Sequence, residues 1–552
     1  MEKKSNNGVK SPSSPTWKNW SGNLVHNPPT NDSNYYFTPT NKAALKSALS
    51  DAKKKGATVR VSGQRHSQPP LVIDDNRGSV PKTANEYLVD MSCYSDLGPN
   101  KDHSMILGPG KNQVTVNTGV REDDLDAFLT SNDLMFKTVT AGGFFSLGGM
   151  IAVDVHGATI NSSIFADDVS EFQIMLADGS MTTINADSLQ FDTAPDKQNW
   201  LPLQFARVSL GGLGIVTSVV LNVMERRSAN SLQGSIKRLS LFNKGAFATA
   251  FKSLLEEQTR VETFFTPYAA GWGLDNFLAL SWKVKENPKD PIDNIPTDPQ
   301  TACQLAAKSP PEYGALYLEG IAQFGANLAE ESQYFKLADN PFAGPAVITA
   351  LARDKIEKDG NTANLAHSDL WLDGAVAVIF MSYFIPIQNL EEEGLGKVWD
   401  SLDIVTKLVL PNGNFHIAAP IEFRFVKGGN SSMSGAYTKK EDSWFVNQDL
   451  IAFVKPDITA SQYPKKLLKF FADVERQWVE MGGFPHNGKM YGFYDPTQAK
   501  GSYSTSGPFN KNYLSELRSR RGNRLEAYKA YRKSLDPKGL FYNKYLKNLL
   551  GD

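Results

Sequence analysis

The chain has 552 residues, of which 41% are hydrophobic and 21% charged, an ordinary globular balance that excludes a disordered chain. Fifty-eight basic side chains against 59 acidic ones leave a net charge of −1, so the charge makes no case for nucleic acid as a partner. The longest apolar run, AVAVIFMSYFIPI from Ala375 to Ile387, falls short of the roughly 20 residues a membrane-spanning helix needs and reads as a buried strand.

At about 150 residues per domain the length allows three or four units, and two lobes sharing one chain are expected. The two cysteines, Cys93 and Cys303, are too few for a disulfide framework or a CxxC metal site and leave a single bridge open. Seven histidines are scattered along the chain, so no metal site is expected. The opening MEKKSNNGVKSPSSPTWKNW lacks the apolar stretch of a signal peptide. A soluble protein is expected, with the compartment open between a secreted mature form and the cytoplasm.

The polar start is expected to be flexible over residues 1–20. FTPTNKAALKSALSDAKKKG predicts an amphipathic helix capped by Thr40 or Asn41, with Ala44, Leu45, Leu49 and Ala52 on its buried side. Strands are predicted at ATVRVSG, EYLVDM, QVTVNTG, FQIMLADGS and IVTSVVLNVM, and a helix at EDDLDAFLTSND. These mixed elements define a first lobe over residues 21–225. Over 226–500, helical KGAFATAFKSLLEEQ alternates with the aromatic-rich strands TFFTPY, NFLALSWKV, GAVAVIFMSYFI and PIEFRFV, a sheet with helical cover. KENPKDPIDNIPTDPQ predicts a long loop. Residues 501–552 predict a basic helix, a DPKG turn and a closing segment, with Arg518, Arg520, Arg521 and Arg524 on a solvated face. That helix and KGAFATAFKSLLEEQ are the candidates for transient membrane-surface contact, against the simpler reading of ordinary amphipathic helices.

Three glycine-rich loops stand out: VSGQRHSQ (Val61 to Gln68), TAGGFFSLGGMIAVDVHGAT (Thr140 to Thr159) and SLGGLGIVTSV (Ser209 to Val219). None is followed by the Lys-Ser or Lys-Thr of a phosphate-binding P-loop, and the third lacks the spacing of a dinucleotide fingerprint. Glycine exposes backbone N–H groups that can cradle a diphosphate without a cationic side chain, which suits a near-neutral protein holding an anionic cofactor. His66 sits in the first loop and His156 in the second. Taken alone, these read as a solvated loop histidine and a turn histidine. In PIEFRFV, Glu422 and Arg424 stand at i and i+2 and share one face of a strand. An exposed pair of this kind is worth little, whereas a buried one is costly and more readily explained by function.

In this order the motifs resemble the vanillyl-alcohol oxidase superfamily of PCMH-type FAD-binding flavoproteins. The resemblance implies an α+β fold: a PCMH-type two-subdomain FAD-binding lobe, and a substrate lobe with a large antiparallel sheet covered by helices. It implies that the last segment returns to the FAD lobe. The implied cofactor is FAD, attached covalently through His66 to the flavin 8α-methyl group. The implied cofactor contacts are Ser62, Gly63, Gln64, Arg65, His66 and Ser67 in the first loop. In the second they are Thr140, Ala141, Gly142, Gly143, Ser146, Leu147, Gly148, Gly149, Ala152, Val153, His156 and Gly157, and in the third Gly214, Ile215 and Val216. GGFPHNGKMYGF resembles the H-W-x-K element of sugar-lactone and alditol oxidases, with Asn487 in place of the tryptophan and His486 and Lys489 as its polar members. The closing LDPKGLFYNKYL is similar to that branch and to the type II cholesterol oxidases, both of which carry the E-x-R pair. The resemblance implies oxidation of an alcohol: a base removes the hydroxyl proton, hydride passes to flavin N5, and O2 reoxidises the flavin to give hydrogen peroxide. The catalytic roles fall to Glu422, Arg424, Lys489 and His486.

Polyols call for many hydrogen-bonding groups and a sterol for an apolar cavity. Phe264, Phe265, Tyr268, Trp272, Phe277, Trp282, Phe380, Tyr383 and Phe384 supply aromatic surface, although core packing is the simpler role for most of them. With the missing tryptophan and a large second lobe, they favour a 3β-hydroxysteroid substrate with isomerisation, contacted by Phe265, Tyr268, Trp272, Phe384 and Asn487. Glu312 is a candidate second base, with a surface acid as the simpler reading. The alternatives are an alditol, sugar or aldonolactone oxidase or dehydrogenase, and a flavin-binding protein without turnover.

Overall fold

The computed structural model describes residues 16–31, 35–192, 199–226, 232–268, 275–284, 344–362, 378–409, 415–452, 454, 458–500 and 507–552. Trp272, Cys303, Glu312 and the loop KENPKDPIDNIPTDPQ lie outside them.

The first helix, Lys42–Lys55, is capped by Asn41, whose side chain accepts the Ala44 N–H, and ends at Gly56. It buries Leu45, Ala48, Leu49 and Ala52. Beside it lies a three-stranded parallel sheet ordered Tyr36–Phe37, Glu86–Asp90, Thr58–Ser62. A five-stranded antiparallel sheet follows, ordered Met181–Asn185, Val169–Met175, Ile215–Asn222, Gln113–Asn117, Met105–Leu107. The first glycine-rich loop leaves the strand Thr58–Ser62, the third runs into the strand Ile215–Asn222, and the second contains the short helix Leu147–Ala152.

A seven-stranded antiparallel sheet runs Leu232–Leu239, Phe277–Val284, Arg260–Phe265, Ile421–Lys427, Trp444–Ala452, Ile379–Pro386, Phe484–Pro485. Its two faces carry opposite chemistry, as the period of two along a strand allows. One face presents Phe277, Phe423, Phe425 and Tyr383 to the helices Lys244–Glu257, Glu392–Val409 and Lys465–Glu480. There Phe251 packs against Phe277, Phe423 and Phe425, and Trp478 against Tyr383. The other face carries Glu262, Glu422, Arg424 and Asp449.

The C-terminal segment departs from the sequence expectation. The basic stretch is two helices, Lys511–Arg521 and Asn523–Leu535, broken at Gly522 where φ is +52°. Arg521 and Arg524 are buried rather than solvated. Arg524 donates to the Ser432 and Ser434 carbonyls and stacks on Tyr437, so its charge is met by backbone dipoles and a ring. The segment packs against the N-terminal sheets: Val59 N–H donates to Leu540 C=O, and Tyr528 hydroxyl to Ser209 C=O. Among the described residues no helix is long and apolar enough to cross a membrane.

Phe251 anchors the aromatic seam between helix and sheet, far from the charged face. Phe251→Ala is expected to cost about 3–5 kcal/mol, read as a lower chemical-denaturation midpoint, with bound flavin per folded molecule unchanged.

Candidate active site

A large cavity runs between the N-terminal sheets and the charged face of the seven-stranded sheet, and all three glycine-rich loops line it. The loops approach so closely that side chains are excluded. A Cβ on Gly63 would lie 2.0 Å from Ser146 Oγ, which leaves backbone as the wall there. Arg65, just before His66, holds a left-handed φ of +65°; its guanidinium donates to Tyr36, which donates to Asp90. Thr140 is fixed by Glu122, which accepts both its N–H and its hydroxyl.

Beside the expected Arg65, the structure adds a second, buried arginine that the sequence does not single out. Arg60 is buried on the cavity wall and donates to the carbonyls of Leu71, Leu210, Gly211 and Phe541. It locks the third loop to the first. Burial draws its guanidinium down to about 10. Nothing local marks it: Arg60 is one alternate residue in a short strand, and its acceptors are 11 to 481 residues away in sequence.

His66 lies half-buried among aromatic rings, stacked on Trp20 at 4.8 Å and edge-on to Phe145 at 4.5 Å. Burial, reinforced by the Lys489 charge, holds its imidazole well below the usual range, hence neutral. Trp20 also stacks on Phe380. It comes from the segment read as flexible and is a wall residue the sequence did not disclose.

The opposite wall is charged. Arg424 pairs with Glu262 across the sheet at 2.8 Å and with Glu422 along its own strand at 2.5 Å, and Asp449 stands in register opposite Glu422 on the next strand. Burial pushes the Glu422 carboxyl up to about 8; Arg424 opposes this, while Glu262 and Asp449 add to it. Burial also works against the Arg424 charge, but Glu262 and Glu422 outweigh it and hold the guanidinium protonated. Lys489 reaches the same wall with Nζ 3.7 Å from the Phe380 ring centroid. Burial lowers its pKa, with Asp449 and Glu422 opposing. His156 and His486 stand 6.1 Å apart between ring centroids, both held well below the usual imidazole range, chiefly by burial.

The four residues assigned to catalysis, Glu422, Arg424, Lys489 and His486, thus line one cavity with Ser62, Gly63, Gln64, Arg65, His66 and Ser67 of the first loop. Thr140, Ala141, Gly142, Ser146, Gly148, Gly149, Ala152, Val153, His156, Gly214 and Val216 line it as well. Gly143, Leu147, Gly157 and Ile215 stand behind the wall: Leu147 and Ile215 are core residues, and Gly157 packs against the Val139 backbone. The substrate assignments fare differently. Phe265 faces the helix side of the sheet against Phe277, and the Tyr268 hydroxyl is spent on the Ile417 carbonyl. Phe384 lies under His156 and His486, and Asn487 is buried among polar groups; none of these four lines the cavity. Of the described members of the aromatic set, only Phe380 does. Glu262 and Asp449 were missed because strand pairing, which one strand does not reveal, brings them to Arg424 and Glu422. Among the described residues no group of His, Cys, Asp or Glu could hold a metal ion.

The backbone cradle, with its closely approaching glycines, fits the diphosphate of FAD, and the ring-lined end fits an aromatic isoalloxazine. A model described as FAD binding domain matches residues 33–185, and one described as D-arabinono-1,4-lactone oxidase matches 346–549. The L-gulono-1,4-lactone dehydrogenase of Mycobacterium tuberculosis is 23% identical across 98% of this chain and 100% of its own length. The D-arabinono-1,4-lactone oxidase of Yarrowia lipolytica is 23% identical over 46% of this chain and 41% of its own, and the L-gulonolactone oxidase of Mus musculus 25% over 34% and 36%. Among solved structures, a solvent-stable cholesterol oxidase superposes with a TM-score of 0.66 over 97% of both chains at 17% identity. The cholesterol oxidase from B. sterolicum superposes at 0.67 over 97% of this chain and 96% of its own, at 14% identity. Two family models in this order show an FAD-dependent oxidoreductase, and its domains and fold match the vanillyl-alcohol oxidase superfamily of PCMH-type flavoproteins.

Proposed function

We propose that the protein oxidises a CH–OH group of an aldonolactone, a small sugar-acid lactone bearing several hydroxyls. The observation that carries this reading is the charged wall. Glu422, Arg424, Asp449, Lys489, His156 and His486 offer donors and acceptors over one side of the cavity, where a sterol would need hydrocarbon contact. The relatives matched in sequence act, by their names, on aldonolactones. The 3β-hydroxysteroid expectation keeps only the fold of the cholesterol oxidases, and at 14–17% identity fold does not carry substrate.

Bound FAD supplies the two-electron acceptor for the hydride that leaves the carbinol carbon. The rest falls to the chain. Glu422 accepts the hydroxyl proton, and its raised pKa makes it a stronger base than an ordinary carboxylate. Arg424, held charged by its two carboxylates, steadies negative charge developing on the substrate oxygen. Lys489 places a second positive charge on that wall, and Trp20, Phe144, Phe145 and Phe380 keep water from the ring-lined end. His66, neutral in this setting, keeps a basic ring nitrogen available for a covalent link to the flavin. The electron acceptor that completes the cycle is read as O2. An acceptor other than O2 is the second reading, favoured by the end-to-end match to a dehydrogenase.

A base must be deprotonated to act, so kcat/KM is expected to rise with pH through about 8 as Glu422 loses its proton. Arg424 lowers that pKa, so Arg424→Met is expected to move the rise to higher pH. Glu422→Gln is expected to reduce kcat by about 10²- to 10⁴-fold with flavin retained. A flat profile with an active glutamine variant removes Glu422 as the base.

Turnover of aldonolactones, alditols and cholesterol, each followed by peroxide release and by dye reduction, separates the substrate and acceptor readings. Cholesterol oxidation without lactone oxidation overturns the proposal. After acid precipitation the flavin is expected in the pellet, on the His66 peptide, and in the supernatant for His66→Ala.

A further inference from the structure

His486 and Lys489 reach the cavity from one tight turn, closed by the Lys489 N–H donating to the His486 carbonyl at 3.1 Å. The turn's two middle residues are gripped from outside. Asp154 Oδ2 accepts both the backbone N–H of Asn487 at 2.8 Å and its side-chain amide at 2.5 Å, and Oδ1 accepts the Gly435 N–H at 2.8 Å. Asn487 Oδ1 accepts from Arg521 at 2.8 Å. On the other side, the Gln68 N–H donates to the Gly488 carbonyl at 3.0 Å.

Asn487 therefore bridges a buried anion and a buried cation, with its amide nitrogen towards Asp154 and its oxygen towards Arg521. The orientation is dictated by charge, because reversing the amide would set donor against donor and acceptor against acceptor. Asp154 itself is fully buried and stands between Val153 and Val155, both of which line the cavity. One carboxylate thus fastens the backbone of the second glycine-rich loop to the backbone of the turn. A tryptophan at position 487 would have no acceptor for Arg521 and so could not bridge the two charges.

We propose that Asp154 is a positioning residue that holds the His486–Lys489 turn against the cofactor loops, so that the Lys489 ammonium and His486 imidazole meet the Glu422–Asp449 wall in a fixed place. The kinetic part of this inference rests on the proposed lactone oxidation; the geometric part does not. Substituting Asp154→Asn leaves size and burial unchanged but keeps one acceptor oxygen where two are used, so an amide N–H₂ meets either the Asn487 donors or the Gly435 N–H, and the grip is weakened without opening a cavity.

The test uses the flavin-loaded protein and three readouts: amide hydrogen exchange of the peptides spanning 484–492, acylation of Lys489 by acetic anhydride mapped by mass spectrometry, and the pH profile of kcat/KM with L-gulono-1,4-lactone. For Asp154→Asn, exchange at the turn is expected to accelerate about tenfold or more while peptides of the helix Lys244–Glu257 and the flavin content stay as in the parent. Lys489 is expected to become acylated, and kcat/KM to fall about 10- to 100-fold with a displaced pH profile. The reciprocal pair Asp154→Asn with Asn487→Asp, which restores an opposite-polarity bond between the two side chains and keeps a partner for Arg521, is expected to recover part of each change. Unchanged exchange and labelling at the turn overturn the proposal. So does faster exchange with kcat/KM and pH profile both unaltered, which leaves Asp154 a purely structural role. Should Asp154→Asn fail to fold, Asn487→Leu breaks the side-chain bonds while sparing the backbone one, and a parental Lys489 label and pH profile in that variant overturn the proposal equally. A parent that oxidises no lactone sinks the substrate reading, while exchange and labelling still decide whether Asp154 holds the turn.

Discussion

One guanidinium, Arg424, faces two carboxylates on the inner side of a sheet whose outer side is packed with aromatic rings. Stripping water from three charges costs several kcal/mol apiece, and the attraction recovers that only when every partner stays in place. The surrounding architecture reads as the means of keeping them there. The strand Arg260–Phe265 is buried along its whole length, so Glu262 cannot swing away, and the antiparallel register sets Glu262 opposite Arg424 and Glu422 opposite Asp449. The helices that cover the outer face hold the register by burying Phe423 and Phe425 between the polar positions. Slipping that strand by one residue would drive two charges into the aromatic seam.

With Lys489 the wall holds two cations and three carboxylates in contact or near contact. They cannot all be ionised at little cost, and the burden falls on Glu422. The same excess that makes a carboxyl reluctant to ionise is what makes it useful as a base near neutral pH. Across the cavity the chemistry is reversed: carbonyls, backbone amides and uncharged rings, with Arg60 turned away from the cavity into the protein's own oxygens. The cavity thus has one side for an anionic, planar cofactor and another for a small hydroxylated molecule.

Much of this was legible locally. The Asn41 cap, the three glycine loops and the i, i+2 spacing of Glu422 and Arg424 are written within a few residues of themselves, and pattern alone exposes them. What escaped was non-local. Glu262, Asp449, Arg60, Trp20 and Asp154 matter because of partners scores or hundreds of residues away, and no window on the sequence contains both halves. The run of arginines near residue 520 misled in the opposite sense: charge density suggested solvent, whereas Arg521 and Arg524 are buried against carbonyls, a ring and Asn487. The aromatic residues misled in a third way. Their abundance suggests an apolar substrate site, yet of the described members of the candidate set only Phe380 lines the cavity and the rest are buried in packing on one face of the sheet or the other, the commoner fate of large rings.

Arg60 donates to carbonyls at 71, 210, 211 and 541, and Val59 takes its backbone acceptor from Leu540. Chains emerge from the ribosome N-terminus first, and domains usually fold as they appear. Here the cofactor cradle waits for residues made hundreds of positions after it. Until they arrive Arg60 lacks one of its acceptors and the edge of the small parallel sheet is bare, a state that invites chaperones. A change that removes Leu540 and Phe541 therefore reaches the wall of the cofactor cradle as well as the segment that carries them.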